Sequence, residues 1–351
     1  MKALMNMERI HMSNELVLSL LSLYESKGKS FYYDDLFAPD RQAYERKALE
    51  KNIVALGHLF SESITDARIH LLAKRDLVAK NRDEQRLKNI KSALMQLHRN
   101  PTLFELIPNE VGNLANVLGN KIETIQYVTE PTKEKGVLKT KKRHTRRDDL
   151  EELMALFSKN RRSRTFELTQ LITNFYVDFL NMKIMTKENE LIGIIVLYAL
   201  VLRDFSVFKY VPFFRYFMKK KDDWDHAVIQ ANYYWSSGYA QTDLLSRMLI
   251  DLLIEAYRDV DQMAHEYAFE KDLNKTDNVE NSIMKLPELF TKEDLRKRHP
   301  NVSDATIDRT LRRLREKDII RPVGRGRSAR WQRIVSMDKG YQRPELPLFD
   351  E

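Results

Sequence analysis

Glycine and proline are scarce in this chain, and this scarcity limits the folds it can adopt more than any other sequence feature. Each residue type occurs only 10 times in 351 residues, below average usage of about 7% and 5% respectively. Both interrupt helices, whereas Leu, Lys, Arg and Glu, which are plentiful here, favour them. The sequence therefore predicts a mainly α protein, and its length is sufficient for two or three domains.

Periodic apolar residues locate the predicted helices. Two segments are so apolar that we expect them to form central, buried helices, at residues 165–182 and 191–202. Amphipathic patterns predict further helices at 41–57, 82–98, 223–235 and 242–269.

The basic segment 129–147 interrupts this helical pattern. It is polar and contains Pro131 and Gly136, so it predicts a loop or hairpin, either solvated or in contact with phosphates. Asp148 and Glu151 follow with the spacing of a capping box, which predicts a helix start there.

The net positive charge of the chain is concentrated near its end. Residues 291–335 contain 14 Lys and Arg against 6 Asp and Glu, a surplus equal to the formal net charge of +8 of the whole chain. The remaining residues balance. Because Lys and Arg that neutralise phosphates supply most non-specific nucleic-acid affinity, this distribution predicts a neutral body that carries a polyanion-binding module.

The basic end has the pattern of a winged helix-turn-helix. A short helix in "FTKEDLRKRH" is followed by a turn at Pro300 and by Ser303, which we expect to cap a helix over 304–317. Two strands are predicted at 319–323 and 329–335, on either side of a Gly/Arg tip. Helix, turn, helix and hairpin in this order are typical of DNA-binding domains.

Spacing within the second helix separates a buried stripe from an outward face. Ile307, Thr310, Leu311 and Leu314 form the stripe, and arginines lie outside it, where the planar guanidinium can bind phosphate or guanine. The predicted DNA-contacting residues are Ser303, Thr306, Arg309, Arg312 and Arg313 in the helix and Arg325, Arg327 and Arg330 in the wing.

The same arginines have a second interpretation. Asp304, Asp308 and Glu316 lie on the same helix and would pair with some of them if the helix formed a solvated, salt-bridged surface. The charge surplus favours DNA without deciding between the two.

Several classes of protein are excluded or disfavoured. The absence of Cys excludes disulfides, Cys-ligated zinc and thiol catalysis. The eight His have no i, i+4 pair, and we expect no metal and no cofactor. Residues 1–14 lack a signal-peptide core, and the longest apolar run, 192–202, is about half the ~20 residues that span a bilayer. We expect a cytoplasmic protein without a membrane partner.

Three segments resemble Fic/Doc-family proteins. Residues 289–334, "LFTKEDLRKRHPNVSDATIDRTLRRLREKDIIRPVGRGRSARWQRI", are similar to a winged helix that follows the catalytic core in many members. Residues 213–260 resemble the helices that close that core, and residues 59–97 resemble the region of its inhibitory helix. The resemblance implies a helical fold and, in the family, transfer of AMP from ATP to a target hydroxyl.

The catalytic signature of the family, F-x-x-I-H-P-F-x-D-G-N-G-R-x-x-R, is degenerate in this chain. Its best match is "FLNMKIMTKENELIGI" at 179–194, which retains Phe179 and Asn189. In that register, the catalytic His is replaced by Lys183, the metal-binding Asp by Lys187, the glycines by Glu188 and Glu190, and the arginines by Leu191 and Ile194.

These replacements remove the chemistry that the resemblance implies. A Lys with a pKa near 10.4 is already protonated and is a poor general base, and a Lys repels Mg²⁺. Carboxylates at the glycine positions bring negative charge towards the phosphates. The inhibitory S-x-x-x-E-G motif is also lost, since Ser61 matches but Thr65 and Asp66 replace the Glu-Gly pair. We therefore expect an inactive enzyme that has lost its inhibitory element as well.

We expect a Fic-like helical bundle followed by a small winged helix-turn-helix. The predicted divisions are an N-terminal helical region 1–58, the degenerate domain 59–269, a linker 270–281, the winged helix 282–335 and a tail 336–351. The predicted function is DNA binding by a transcriptional regulator. The alternatives are an adenylyltransferase in which Lys183 or another group substitutes for the histidine, and a protein-interaction scaffold. A homodimer and a protein partner for the helical body are further expectations.

Overall fold

The computed structural model describes residues 2–9, 12–61, 63–99, 101, 104–131, 143–272, 275–299, 302–324 and 330–334. By its internal contacts the chain divides into two compact units, one of Met1–Ala264 and one that begins at His265. The division falls inside a long helix.

The first unit is helical, as predicted. Where the sequence predicted the bounds of a helix, the observed bounds agree within a few residues. The helices are α1 Asn14–Gly28, α2 Ser30–Leu36, α3 Arg41–Phe60, α4 Asp66–Lys74, α5 Arg82–Arg99, α6 Pro108–Gly119, α7 Arg146–Ser163, α8 Leu168–Met182, α9 Asn189–Asp204, α10 Phe213–Lys219, α11 Lys221–Tyr233 and α12 Asp243–Asp272.

Helices α8 and α9 form the centre of this unit. Every residue from Leu191 to Leu202 is buried, and so is every residue of α8 from Thr169 to Phe179. The two helices approach closely at Gly193, where an added Cβ would lie 2.8 Å from Cδ2 of Leu180. The expectation of two central, buried helices is confirmed.

A short hairpin precedes α7. Strands β1 (Thr129–Pro131) and β2 (Arg143–Thr145) pair antiparallel, with Thr129 opposite Thr145. The basic segment 129–147 is therefore a hairpin at its base, while residues 132–142 lie outside the described residues. Helix α7 is capped by the side chain of Thr145 rather than by the predicted Asp148.

The second unit is a small α+β unit. It contains α13 Lys275–Lys285, β3 Leu289–Thr291, α14 Lys292–Arg298, α15 Asp304–Glu316, β4 Ile320–Val323 and β5 Arg330–Arg333. The three strands form one antiparallel sheet in the order β3-β5-β4. Ser303 caps α15 as predicted, and Thr291 and Asp294 form a capping box at α14. Its core contains Val279, Ile283, Leu286, Phe290, Leu295, Ile307, Leu311, Leu314 and Ile320.

The segment 270–281, which the sequence analysis interprets as a linker, differs from that expectation. Helix α12 continues to Asp272, and α13 begins at Lys275. Val279 and Ile283, one turn apart on α13, are buried in the core of the second unit. Two apolar residues on one helix face are sufficient to dock a helix that is otherwise polar.

Within the described residues, no helix combines the length and the apolar character needed to cross a membrane.

Candidate functional site

The turn between α8 and α9 carries the residues aligned with the Fic signature. Lys183 and Glu188, at its two ends, have left-handed backbone conformations with φ of 44° and 59°. Asn189 fixes the turn, because its side chain accepts a hydrogen bond from the Met185 N–H at 2.9 Å and donates one to the Met185 carbonyl at 2.7 Å. Left-handed backbone is unusual for Lys and Glu, so the turn retains a shape that glycine adopts without strain.

The incoming chain of the β1–β2 hairpin pairs with this turn. Val128 N–H donates to the Ile184 carbonyl at 2.9 Å, and Thr186 N–H donates to the Gln126 carbonyl at 2.8 Å. Ile184 and Met185 are buried, whereas Lys183 is exposed at the end of α8. The Ile184 carbonyl and the Thr186 N–H of the turn are therefore occupied by the protein itself.

Two of the charged side chains of the turn, those of Lys187 and Glu188, are paired within the chain. Lys187 binds the carboxylate of Glu123, which lies 3.3 Å from Arg82 as well. Glu188 binds Arg86 of α5, whose guanidinium lies over the Phe60 ring. The hydrogen bond from Lys187 lowers the pKa of the Glu123 carboxyl.

These residues do not fit a magnesium-bound nucleotide. Glu188 is the N-cap residue of α9 and Glu190 lies in its first turn, so two acidic residues occupy the positive end of the helix. Leu191 and Ile194, at the positions of the family's arginines, are only 1% and 2% exposed and lie in the apolar core. The described residues contain no group of three or more His, Cys, Asp or Glu that could hold a metal ion.

The residues aligned with the inhibitory motif lie at the junction of α3 and α4. Ser61 follows α3 and is buried, Thr65 precedes α4, and Asp66 begins it. The Asp66 carboxylate is mostly exposed, 3.2 Å from Nε2 of His58 and 3.6 Å from Nε2 of His70. It contacts local residues and none of the charged groups of the α8–α9 turn.

The outward face of α15 contrasts with the α8–α9 turn. Arg309 and Arg312 are exposed, and neither has an ion-pair or hydrogen-bond partner among the residues that the structure describes. Arg315, which the sequence analysis did not select, is also exposed and unpartnered within the same part of the chain. Its spacing of three from Arg312 would have indicated it.

The acidic residues of α15 do not neutralise these arginines. The Asp304 carboxylate accepts from Nε of Arg296 at 2.7 Å, and Asp308 lies 2.6 Å from Nζ of Lys292. Both partners belong to α14, so the two carboxylates link α14 to α15. The pairing expected between Asp304 or Asp308 and the α15 arginines is not formed.

Arg313 differs from the outward orientation that its spacing predicts. It forms an ion pair with Glu280 of α13, and its Nε is buried. This pair fixes the guanidinium against the body of the unit. The partner is 33 positions away in sequence, so no local pattern indicated it.

Ser303 and Thr306 stabilise the first turn of α15. Ser303 Oγ accepts from the Thr306 N–H at 3.3 Å and lies 2.9 Å from Thr306 Oγ1. Arg330 is exposed on β5. Arg325 and Arg327 lie outside the described residues. Of the predicted DNA-contacting arginines, the structure leaves Arg309, Arg312 and Arg330 open on the surface.

Two charged partners in the body were missed by sequence reasoning. Arg86 and Glu123 bind the α8–α9 turn from sequence distances of 102 and 64 residues. Neither occurs in a motif, and only the packing of α5 and of the segment after α6 places them there.

Comparison with known proteins identifies the fold. No protein-family model and no curated protein matches this sequence. Among solved structures, the chain is similar to a Fic family protein from Desulfovibrio desulfuricans G20, with a TM-score of 0.56, 13% identity and coverage of 94% of this chain and 99% of that chain. It is also similar to a Fic domain containing signaling protein from Bacteroides thetaiotaomicron VPI-5482, with a TM-score of 0.52, 13% identity and coverage of 71% of this chain and 98% of that chain. This chain therefore has the fold of Fic family proteins.

Proposed function

We propose that this chain is a non-catalytic protein with the Fic fold that binds DNA through its C-terminal unit and acts as a transcriptional regulator in the cytoplasm. The observation that carries the proposal is the pair of guanidinium groups of Arg309 and Arg312 on the outward face of α15, which are exposed and have no partner among the described residues. Arginine groups that are free to exchange counterions for phosphates supply affinity for DNA.

We assign the second unit as a winged helix-turn-helix. Helix α14, the capped start of α15 and the β4–β5 pair follow in the order typical of that motif. Gly324, at the end of β4, has a φ of 99°, a conformation suited to glycine at the entry to a turn. In this assignment α15 enters the major groove, and Arg330 contacts the backbone beside it.

The charges of the α8–α9 turn support the non-catalytic part of the proposal. Lys187 and Glu188 are held by Glu123 and Arg86, so neither is available to bind a metal or a phosphate. Two carboxylates at the start of α9 would repel a triphosphate at that helix terminus. Recovery of nucleotide binding would require several of these contacts to break together.

A DNA-retention assay with matched charge reversals tests the DNA-binding part. Arg309→Glu with Arg312→Glu is expected to weaken binding of the full chain to duplex DNA about a hundredfold at low salt, since two charge-assisted contacts are lost. Lys159→Glu with Arg162→Glu on α7 is the control, because these residues are exposed and unpartnered among the described residues and the net charge changes equally.

If both double variants weaken DNA binding equally, the loss of affinity comes from the change in net charge and not from contacts made by α15. Unchanged retention in the α15 variant would favour a protein-interaction scaffold over a DNA-binding protein.

Adenylyl transfer is the second candidate function, favoured by the left-handed turn that Glu188 retains before α9. Incubation with labelled ATP and Mg²⁺, followed by analysis of Ser, Thr and Tyr in candidate targets and in the chain itself, separates the two candidates. We expect no labelling. Labelling that Lys183→Ala abolishes would overturn the non-catalytic proposal.

A further inference from the structure

Helix α1 has two apolar faces, and the fold of one chain uses only one of them. Leu16, Leu20 and Leu23 are buried against the first unit. On the other side lie four large side chains, which we call the α1 face: Val17, Leu18, Leu21 and Tyr24, exposed by 42%, 67%, 64% and 39%. A surface helix of a monomer ordinarily exposes polar residues to solvent, so the α1 face has the composition of an interaction surface.

The charged residues beside the α1 face are engaged within the same chain. Glu15 lies 2.9 Å from Arg247, and Lys27 lies over the rings of Phe205 and Tyr24. The Tyr24 hydroxyl donates to Glu167 at 2.7 Å, so a partner would contact the apolar ring of Tyr24 and not its hydroxyl. The face therefore presents apolar surface bordered by the small side chains of Ser19 and Ser22, and by two exposed charged residues of α1, Glu25 and the ion-paired Glu15.

This composition favours a second copy of the chain as the occupant. Under two-fold rotation a residue meets its own copy or a neighbour of it, so a charged patch would face like charge, whereas an apolar stripe complements itself. A strongly acidic or basic partner would find no unpaired charge on the face to match beyond Glu25.

The α1 face supplies most of the apolar area that a partner of this kind would need. Its four side chains expose on the order of 300–400 Å² of apolar surface, comparable with the largest patches of ordinary monomers, which are often functional. A standard interface buries about 800 Å² per partner, of which about 60% is apolar. Phe31, 87% exposed at the start of α2, adds to the apolar surface of this end of the chain.

We propose that two copies of this chain form a homodimer by antiparallel packing of α1 against α1 across the α1 face. Val17, Leu18, Leu21 and Tyr24 form the centre of the interface, and the serines and Glu25 form its rim. The proposal does not depend on DNA binding.

The oligomeric state of the full chain tests this proposal. Sedimentation velocity is expected to show a dimer at micromolar concentration for the wild type and a monomer for Leu18→Glu with Leu21→Glu, whose dissociation constant should rise at least about a hundredfold. Val78→Glu places one carboxylate at an isolated apolar residue that is 84% exposed, and it should remain dimeric. Circular dichroism and the unfolding midpoint check that the double variant keeps its fold.

A single cysteine locates the interface directly. The sequence contains no Cys, so Leu21→Cys introduces one thiol, and near the two-fold axis it should form a disulfide with its own copy under mild oxidation. Val78→Cys is the matched control and should remain uncrosslinked. A monomeric wild type at tens of micromolar, or a dimer that survives the double Glu variant, would overturn the proposal.

Discussion

The α8–α9 turn and the outward face of α15 both carry basic side chains, but Lys187 in the turn has a partner within the chain, whereas Arg309 and Arg312 on α15 have none among the described residues. In the turn, Lys187 is bound by Glu123, and Glu188 is bound by Arg86. On α15, Arg309 and Arg312 have no partner among the described residues, because Asp304 and Asp308 pair with α14. The difference shows that the pairing of a cation, and not its presence in a motif, decides whether it is available to a ligand.

The largest predicted effect comes from placing an arginine at a position that aligns with an arginine of the Fic signature. Ile194→Arg should destabilise the protein by about 3 kcal/mol or more, because a guanidinium without a partner would be buried in the core between α8 and α9. Urea denaturation of the full chain measures this loss. Val78→Arg, at a mostly exposed position, should change stability by less than about 0.5 kcal/mol. A fully stable Ile194→Arg protein would mean that this face of α9 opens to solvent.

A second effect of similar size concerns the buried polar groups of the body. His98 on α5 lies 2.5 Å from the Tyr198 hydroxyl on α9, which accepts from Asn52 on α3 at 3.0 Å. Burial lowers the pKa of His98 from 6.5 to about 4. The neutral ring accepts a hydrogen bond from the Tyr198 hydroxyl, and protonation of Nε2 would remove that acceptor.

This geometry predicts a pH dependence of stability. The folded-state pKa of His98 is below its unfolded value, so its contribution is fully present above about pH 6.5 and is lost as the pH falls towards 4, to a total on the order of 3 kcal/mol. In His98→Gln, the free energy of unfolding should fall less between pH 7 and 5 than in the wild type. His226→Gln, at an exposed position, should follow the wild type. If the free energy of unfolding varied with pH in the same way in all three proteins, the prediction that His98 is buried and neutral in the folded state would be wrong.

A third prediction separates two neighbouring arginines on α15. Arg312→Ala should weaken DNA binding about tenfold, since one charge-assisted contact is lost. Arg313→Ala should change the affinity for DNA by less than about twofold, because Arg313 is bound to Glu280. It should lower the unfolding free energy by no more than about 1 kcal/mol, because this ion pair is partly exposed to solvent. Fluorescence anisotropy with labelled duplex measures both affinities. Equal losses of affinity would show that Arg313 leaves Glu280 to bind DNA.

The smallest predicted effect tests the α8–α9 turn itself. Lys183→Gly should stabilise the protein by up to about 1 kcal/mol, because glycine adopts a φ of 44° without the strain of a side chain. Lys220→Gly is the control, since Lys220 ends α10 at an ordinary φ of −122° and offers no strain to relieve. Thermal unfolding measures the two differences. A destabilised Lys183→Gly protein would indicate that the Lys183 side chain makes a contact of its own.

Regular local patterns were sufficient to predict much of the fold. The apolar run of α9, the cap at Ser303 and the strands β4 and β5 each depend on residues close in sequence, and each was predicted within a few positions. Where a segment lacks a clear apolar pattern, its secondary structure depends on contacts with other parts of the fold. Helix α13 forms in a polar segment because Val279 and Ile283 reach the core of the second unit. Helix α7 begins at the end of β2, so Thr145 caps it before Asp148 is reached.

The candidate sites were less predictable than the fold for a related reason. The alignment with the Fic signature indicated which side chains occupy the α8–α9 turn, but only the structure shows that Arg86 and Glu123 hold them. Helical spacing likewise placed Arg309, Arg312 and Arg313 on one side of α15. In the structure, Arg313 is bound to Glu280 and does not belong to the outward face. Long-range ion pairs leave no periodic signal in the sequence.

A salt titration of DNA binding tests the central proposal most directly. We expect the logarithm of the affinity of the full chain for duplex DNA to fall linearly with the logarithm of salt concentration. In Arg309→Ala with Arg312→Ala, the slope should become shallower by about 2, one for each phosphate contact removed. An affinity that does not depend on salt, or an identical slope for the wild type and the double variant, would contradict DNA binding through α15.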